Sequence, residues 1–203
     1  MNLEREIELT KKGYKKIFGV DEVGRGPLAG PIVVCFYSFD QKNDIIDKVK
    51  DSKKVSEKTR DKIVEEIKIK SLEYSIGAAS NLEIDKYGIM EANRLAIERA
   101  YKKLKNKPDY LILDYTTCDV TFLETKYEKI EKGDNLIYSI ASASIIAKVF
   151  RDNLMKNVSK FFEEYNFEKN KGYGTSDHIK EIIKNNISSF HRQSFCKNFI
   201  NKN

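Results

Sequence analysis

Two hydrophobic periods divide this chain. Residues 17–20 and 31–39 are unbroken β-branched and aromatic runs, the pattern of strands. Between them lies a glycine-rich turn, Gly24-Arg25-Gly26-Pro27-Leu28-Ala29-Gly30, short enough to join the two as a hairpin. Ser56 is an N-cap for a helix over residues 57–70, and residues 72–79 return as a strand. Ile89, Ala92, Ala96, Ala100 and Leu104 recur at intervals of three and four, which predicts one helix over residues 83–105 with a buried stripe. Residues 110–113 are an apolar run ending in Asp114, the pattern of a strand covered on both faces. A weaker strand follows within residues 122–130. Then comes a long amphipathic helix with Ile146, Val149, Phe150, Leu154, Val158, Phe161 and Phe162 on its apolar side. The last forty residues read as loops and short helices. This order predicts an α/β fold, a mixed, partly parallel sheet flanked by helices. No repeat or low-complexity linker interrupts it, so residues 1–203 are expected to form a single domain.

Composition narrows the class. Hydrophobic residues make up 40% and charged residues 33%, too apolar for a disordered chain and too charged for a membrane protein. The amino terminus is charged throughout and lacks an apolar signal core. The three cysteines, Cys35, Cys118 and Cys196, lie far apart and form no CxxC pair, which disfavours a zinc knuckle, a thioredoxin motif and a disulfide scaffold. A cytoplasmic protein is expected. The 37 Lys and Arg against 31 Asp and Glu give a net charge of +6, which permits nucleic acid as a partner without demanding it.

Four acids stand where stability alone would not put them. Asp21 and Glu22 end the first strand, Asp114 ends the 110–113 strand, and Asp134 follows Lys132-Gly133 ahead of the long helix. Ligand sites of α/β sheets form at the carboxyl ends of parallel strands. Carboxylates meeting in low dielectric repel one another and raise their pKa values, and a hard divalent cation relieves that. Two bland readings stand beside this one: Asp134 as the cap of the long helix, and Asp21 with Glu22 as a solvated strand end. Adjacent strand residues also face opposite ways, so Asp21 and Glu22 share a site only where the chain bends, which Gly24 allows. Asp152 lies several turns into the long helix at ~1.5 Å per residue and is not assigned to the site. The only histidines, His178 and His191, are expected to be structural.

Gly24-Arg25-Gly26 suggests a backbone that something approaches closely, or simply a tight turn. It is not a dinucleotide fingerprint, because the third glycine is one residue late and a strand follows it.

The stretch Phe18-Gly19-Val20-Asp21-Glu22-Val23-Gly24-Arg25-Gly26-Pro27-Leu28-Ala29-Gly30-Pro31 strongly resembles the signature of ribonuclease HII. The resemblance continues through Asp51-Ser52-Lys53-Lys54, Leu111-Ile112-Leu113-Asp114, Lys132-Gly133-Asp134, the run from Ser139 to Val149, Lys171-Gly172-Tyr173 and His191-Arg192-Gln193-Ser194-Phe195, in family order over nearly the whole chain. Arg25 distinguishes it from the sister family, ribonuclease HIII. Tyr115 departs from the pattern, standing where the family usually has glycine.

The resemblance implies a ribonuclease H-like fold with a carboxy-terminal helical extension over about residues 166–203. It implies an endonuclease that cuts the RNA strand of RNA–DNA hybrids and nicks 5′ of single ribonucleotides in duplex DNA. It further implies that Asp21, Glu22, Asp114 and Asp134 hold catalytic Mg²⁺ or Mn²⁺, two ions with substrate bound, and that products carry a 3′-hydroxyl and a 5′-phosphate. Gly24, Arg25 and Gly26 would read the ribose 2′-hydroxyl and Tyr173 the RNA–DNA junction, while Lys53, Lys54 and Lys148 are candidate phosphate contacts. A monomer is expected. The rival classes are a non-catalytic hybrid-binding module, which the four retained acids disfavour, and a nucleotide-dependent oxidoreductase, which the displaced glycine disfavours.

Overall fold

The computed structural model describes residues 3–41, 45–49, 56–115 and 117–200. Its elements run α1 (Glu4–Lys11), β1 (Ile17–Val23), β2 (Ile32–Phe39), α2 (Glu57–Lys70), β3 (Ser71–Ala79), α3 (Asn81–Tyr87), α4 (Ile89–Lys103), β4 (Tyr110–Asp114), β5 (Lys126–Ile130), α5 (Gly133–Leu136), α6 (Tyr138–Ser159), α7 (Phe167–Asn170), α8 (Ser176–Asn185) and α9 (Gln193–Ile200). One mixed five-stranded sheet has the order β3-β2-β1-β4-β5. β1 and β2 pair antiparallel as the predicted hairpin, and β3 extends the sheet antiparallel to β2. β4 and β5 run parallel to β1 on its other side.

The two faces of the sheet bury alternate residues of the same strands. Phe18, Val20, Leu111 and Leu113 pack with Ala92, Ala96 and Ala100 of α4. On the opposite face Val33, Cys35 and Tyr37 pack with Ile63 and Ile67 of α2 and Ile146 of α6. Every residue of β2 is buried, which is why it reads as a continuous apolar run and not as an alternation. α6 lies so close to β1 that a Cβ on Gly19 would stand 2.3 Å from the main-chain carbon of Ser139.

Several sequence expectations need correction. The stretch predicted as one helix over 83–105 is two, α3 and α4, divided at Gly88, whose φ of 81° ends the first. α3 also begins earlier, because Ser80 and Glu83 form a reciprocal capping box. The weak strand within 122–130 is only β5, since residues 121–123 form a single 3₁₀ turn. α6 ends at Ser159, so Phe161 and Phe162 are not on the long helix; Phe161 is 81% exposed and Phe150 43% exposed. α1 was not foreseen. Its Arg5 forks onto Glu128 of β5 at 2.6 and 2.7 Å, and its buried Glu6 accepts bonds from the backbone and hydroxyl of Ser139. By contrast, Ser56 does cap α2, accepting the Thr59 N–H, and α2 spans the predicted residues.

Because the Gly19 contact is main chain against main chain, a methyl group there cannot be relieved by rotating a side chain. Gly19→Ala is expected to cost ~3 kcal/mol, read as a lower urea midpoint with an unchanged slope. A midpoint equal to wild type would contradict this packing.

Candidate active site

The parallel pairing of β1 with β4 sets Val20 opposite Leu113. The next residues, Asp21 and Asp114, therefore emerge side by side at the carboxyl ends of neighbouring strands. They line one open cleft of about 450 Å³ with Glu22, Asp134, Tyr115, Glu131, Lys132 and Ser144. Asp21 and Glu22 both line it although neighbours on a strand face opposite ways. Glu22 accepts hydrogen bonds from the Thr117 hydroxyl at 2.8 Å and from Arg25 Nη1 at 3.2 Å. Asp114 accepts the Gly133 N–H at 2.8 Å. That bond fastens the turn carrying Asp134, which Lys132 enters with φ of 55°. Asp134 does not cap the long helix: α6 starts at Tyr138 with Ile137 at its N-cap.

Asp21 is the buried member. Burial first, then repulsion from Glu22, pushes its pKa up to about 8; Asp114 adds to this, and hydrogen bonds from Ser144 and the Glu22 N–H oppose it. Among the described residues, no three His, Cys, Asp or Glu side chains already stand close enough together to hold an ion. The donor set nevertheless fits a hard divalent cation. It offers carboxylate oxygens at one cleft, an acid whose pKa burial and the neighbouring Glu22 raise, and open space for water and phosphate oxygens. Tyr115 does not disturb the site, because its N–H donates to Ile130 O and its ring is exposed.

The two glycines flanking Arg25 differ. Gly24 has φ of 99°, and a Cβ there would stand 2.6 Å from Arg151 Nε and from the Pro31 carbonyl oxygen, so the chain itself requires glycine. At Gly26 a Cβ would meet nothing within 4 Å. No packing among the described residues calls for glycine there. Tyr173 lies on the loop before α8, 38% exposed, with Lys148 Nζ 5.5 Å and Arg151 Cζ 5.6 Å from its ring centroid. Lys148 also pairs with Asp152 at 2.8 Å. Lys53 and Lys54 lie outside the described residues.

Residues 18–198 match the sequence profile of ribonuclease HII. The chain belongs to the ribonuclease HII family. It is 45% identical to the ribonuclease HII of Clostridioides difficile (strain 630), over 96% of this chain and 75% of that one. It is 42% identical to that of Caldicellulosiruptor saccharolyticus, over 97% and 95%. Among solved structures, ribonuclease H2 of Pyrococcus horikoshii OT3 superposes with a TM-score of 0.75 at 25% identity, covering 93% of this chain and all of that one. As a ribonuclease HII the protein is an endoribonuclease, and the family cleaves the RNA strand of RNA–DNA hybrids with divalent metals.

Within that family frame, two buried arginines are the features that sequence reading missed. Arg192 donates from Nε to Gly30 O at 2.9 Å, from Nη1 to Arg25 O at 3.0 Å and from Nη2 to Gly24 O at 2.6 Å. Arg151 donates to the carbonyls of Pro31, Lys171 and Ala29 at 2.9, 2.9 and 3.0 Å. Burial and the neighbouring Arg151 lower the Arg192 pKa to about 9, so it stays charged at neutral pH. Their available signal was position: Arg192 sits inside one quoted motif and Arg151 two residues beyond the end of another, but an arginine in sequence reads as a surface or phosphate-binding residue.

The histidines form a one-way chain. Ser188 N–H donates to His191 Nδ1 at 3.0 Å, which places the His191 proton on Nε2. Nε2 donates to His178 Nε2 at 3.0 Å, and His178 Nδ1 donates to the Tyr173 carbonyl at 2.9 Å. The structural role expected of both is borne out. Burial and then His178 lower the His191 pKa from 6.5 to about 4. The unfolded chain thus binds more protons between those values, and stability falls as pH drops through the window. His191→Gln is expected to unfold at lower urea above that window yet lose less than wild type on acidification through it. Parallel pH profiles for the two proteins would contradict the neutral chain.

Proposed function

We propose that the protein nicks duplex DNA 5′ of embedded ribonucleotides, as well as cutting the RNA strand of RNA–DNA hybrids, by divalent-metal-assisted hydrolysis at the cleft of Asp21, Glu22, Asp114 and Asp134. The observation that carries this reading is the register of β1 and β4, which sets Asp21 and Asp114 side by side in one cleft with the other two acids. These four residues would hold Mg²⁺ or Mn²⁺. A bound divalent ion supplies an activated water at neutral pH and neutralises the charge that develops on a phosphodiester.

The chain's own groups do the rest. Asp21, whose pKa burial pushes up to about 8, would have to lose its proton to serve as a ligand. Arg25, held against Glu22, keeps the Gly24 to Gly26 backbone beside the carboxylates. The open backbone at Gly26 lets a ribose approach, and a 2′-hydroxyl is what separates ribose from deoxyribose there. Tyr173 offers an exposed ring for stacking on the sugar or base at the junction. Lys148 beside that ring is placed to meet a backbone phosphate, and Lys53 and Lys54 are assigned the same task on their family motif. Products are a 3′-hydroxyl and a 5′-phosphate.

The test is a duplex carrying one ribonucleotide, incubated with the protein and Mg²⁺ or Mn²⁺. A single nick 5′ of the ribose, abolished by chelation, is expected. Asp114→Asn should lower the rate ~100-fold or more, since changes even behind metal ligands cost roughly 10–100-fold, while melting with the wild type. No nick with either metal, or near-normal cleavage by Asp114→Asn at saturating metal, would overturn the assignment.

A further inference from the structure

The ribose-reading loop and Tyr173 come from segments about 150 residues apart in sequence, before β2 and before α8. Where they meet, the residues beside both are bonded to one side chain. Arg151, fully buried on α6, spends its Nε and Nη2 on the carbonyls of Pro31 and Ala29 and its Nη1 on the carbonyl of Lys171. Its guanidinium also stands against the Tyr173 ring, 5.6 Å from the centroid. The main chains lie directly against each other there, with Leu28 and Ala29 donating to the Gly172 carbonyl at 2.7 and 3.3 Å. Gly172 has φ of 83°, and a Cβ on it would lie 2.6 Å from Ala29 O.

A charge buried this deeply would ordinarily be matched by a carboxylate. The adjacent Asp152 pairs instead with Lys148. Arg151 is therefore satisfied by carbonyl oxygens, whose positions its planar fork dictates. A lysine in its place would keep the charge but present one compact ammonium, which cannot span three carbonyls fixed by two segments.

We propose that Arg151 is a positioning residue that makes the Gly24 to Gly26 loop and Tyr173 a single rigid reader, so that the 2′-hydroxyl and the RNA–DNA junction are sensed in fixed register. This rests on the reading of those two elements as substrate contacts. Arg192 bonds the loop through Gly24, Arg25 and Gly30, whereas the Arg151 guanidinium bonds Ala29 and Pro31 on one segment and Lys171 on the other and stands against the Tyr173 ring. Fixed register matters because a misplacement of about 1 Å between the ring and the ribose site can cost on the order of 100-fold in rate.

The experiment compares kcat/KM on a duplex with one embedded ribonucleotide against kcat/KM on a continuous RNA–DNA hybrid. Tyr173→Ala should lower that ratio. Arg151→Lys should lower it at least fivefold, and the double variant should lower it no further than Tyr173→Ala. A merely structural role would reduce both substrates together with the melting temperature and leave the ratio unchanged. An unchanged ratio for Arg151→Lys, or additive losses in the double variant, overturns the proposal. No change in the ratio for Tyr173→Ala overturns the underlying reading of Tyr173, and the proposal with it. Hydrogen exchange on the unmutated protein under sub-denaturing urea gives a check that needs no variant. The amides of Leu28 and Tyr173 should open with one free energy and one urea dependence. Separate openings contradict a single reader.

Discussion

Acids at the ends of adjacent parallel strands are the constraint on which the rest depends. Pairing β1 with β4 in parallel forces Asp21 beside Asp114, and the local sequence adds Glu22 to the same end. In a low-dielectric cleft such a group repels itself, and the fold answers by leaving Asp21 protonated near neutrality. With β4 on one edge of β1, the β2 partner of the hairpin lies on the other, and α6 crosses close over Gly19. Holding the acids apart would have been more stable. Their convergence makes a donor set that fits a hard divalent cation.

Beside this anionic centre the glycine-rich loop is bare of side chains at its glycines and still held in place from behind. A loop with glycine at 24, 26 and 30 gains bareness at the expense of conformational entropy. The two buried guanidinium groups offset that from behind, taking the carbonyls of Gly24, Arg25, Ala29, Gly30 and Pro31. Turning those oxygens inward leaves the other side of the loop for a ligand. The carboxy-terminal segment serves the same end. It supplies Arg192, bridges Ala29 with His191, and packs Tyr165, Phe167 and Ile182 against Ala29 and Met155. The histidine chain carries this support to the Tyr173 carbonyl.

Much of this was legible in the residues. The strands β1, β2 and β4 were visible because burial on both faces makes continuous apolar runs, and α2 because Ser56 caps it. Asp21, Glu22 and Asp114 were visible as charges at strand ends and Asp134 as a charge ahead of the long helix, and family resemblance made the expected site specific. What was not legible depended on contacts between distant segments. α1 carries few apolar residues and docks through Arg5 and Glu6, whose partners lie over a hundred residues away. Gly88 divides a helical stripe whose periodicity continues across it. Arg151 and Arg192 looked like surface cations because nothing local shows that carbonyls await them. Gly24 and Gly26 looked alike, and only the packing behind them shows that a side chain would clash at the first and meet open space at the second.

The central claim is that a buried, neutral Asp21 becomes a metal ligand by losing its proton. Calorimetric titration of Mn²⁺ into the protein at about pH 7, in buffers of differing ionisation enthalpy, counts the protons released on binding. With Asp21 pushed up to about 8, close to one proton per chain should leave as metal enters, and Asp21→Asn should release none. Metal binding without proton release by the wild type, or equal release by the variant, would contradict the account.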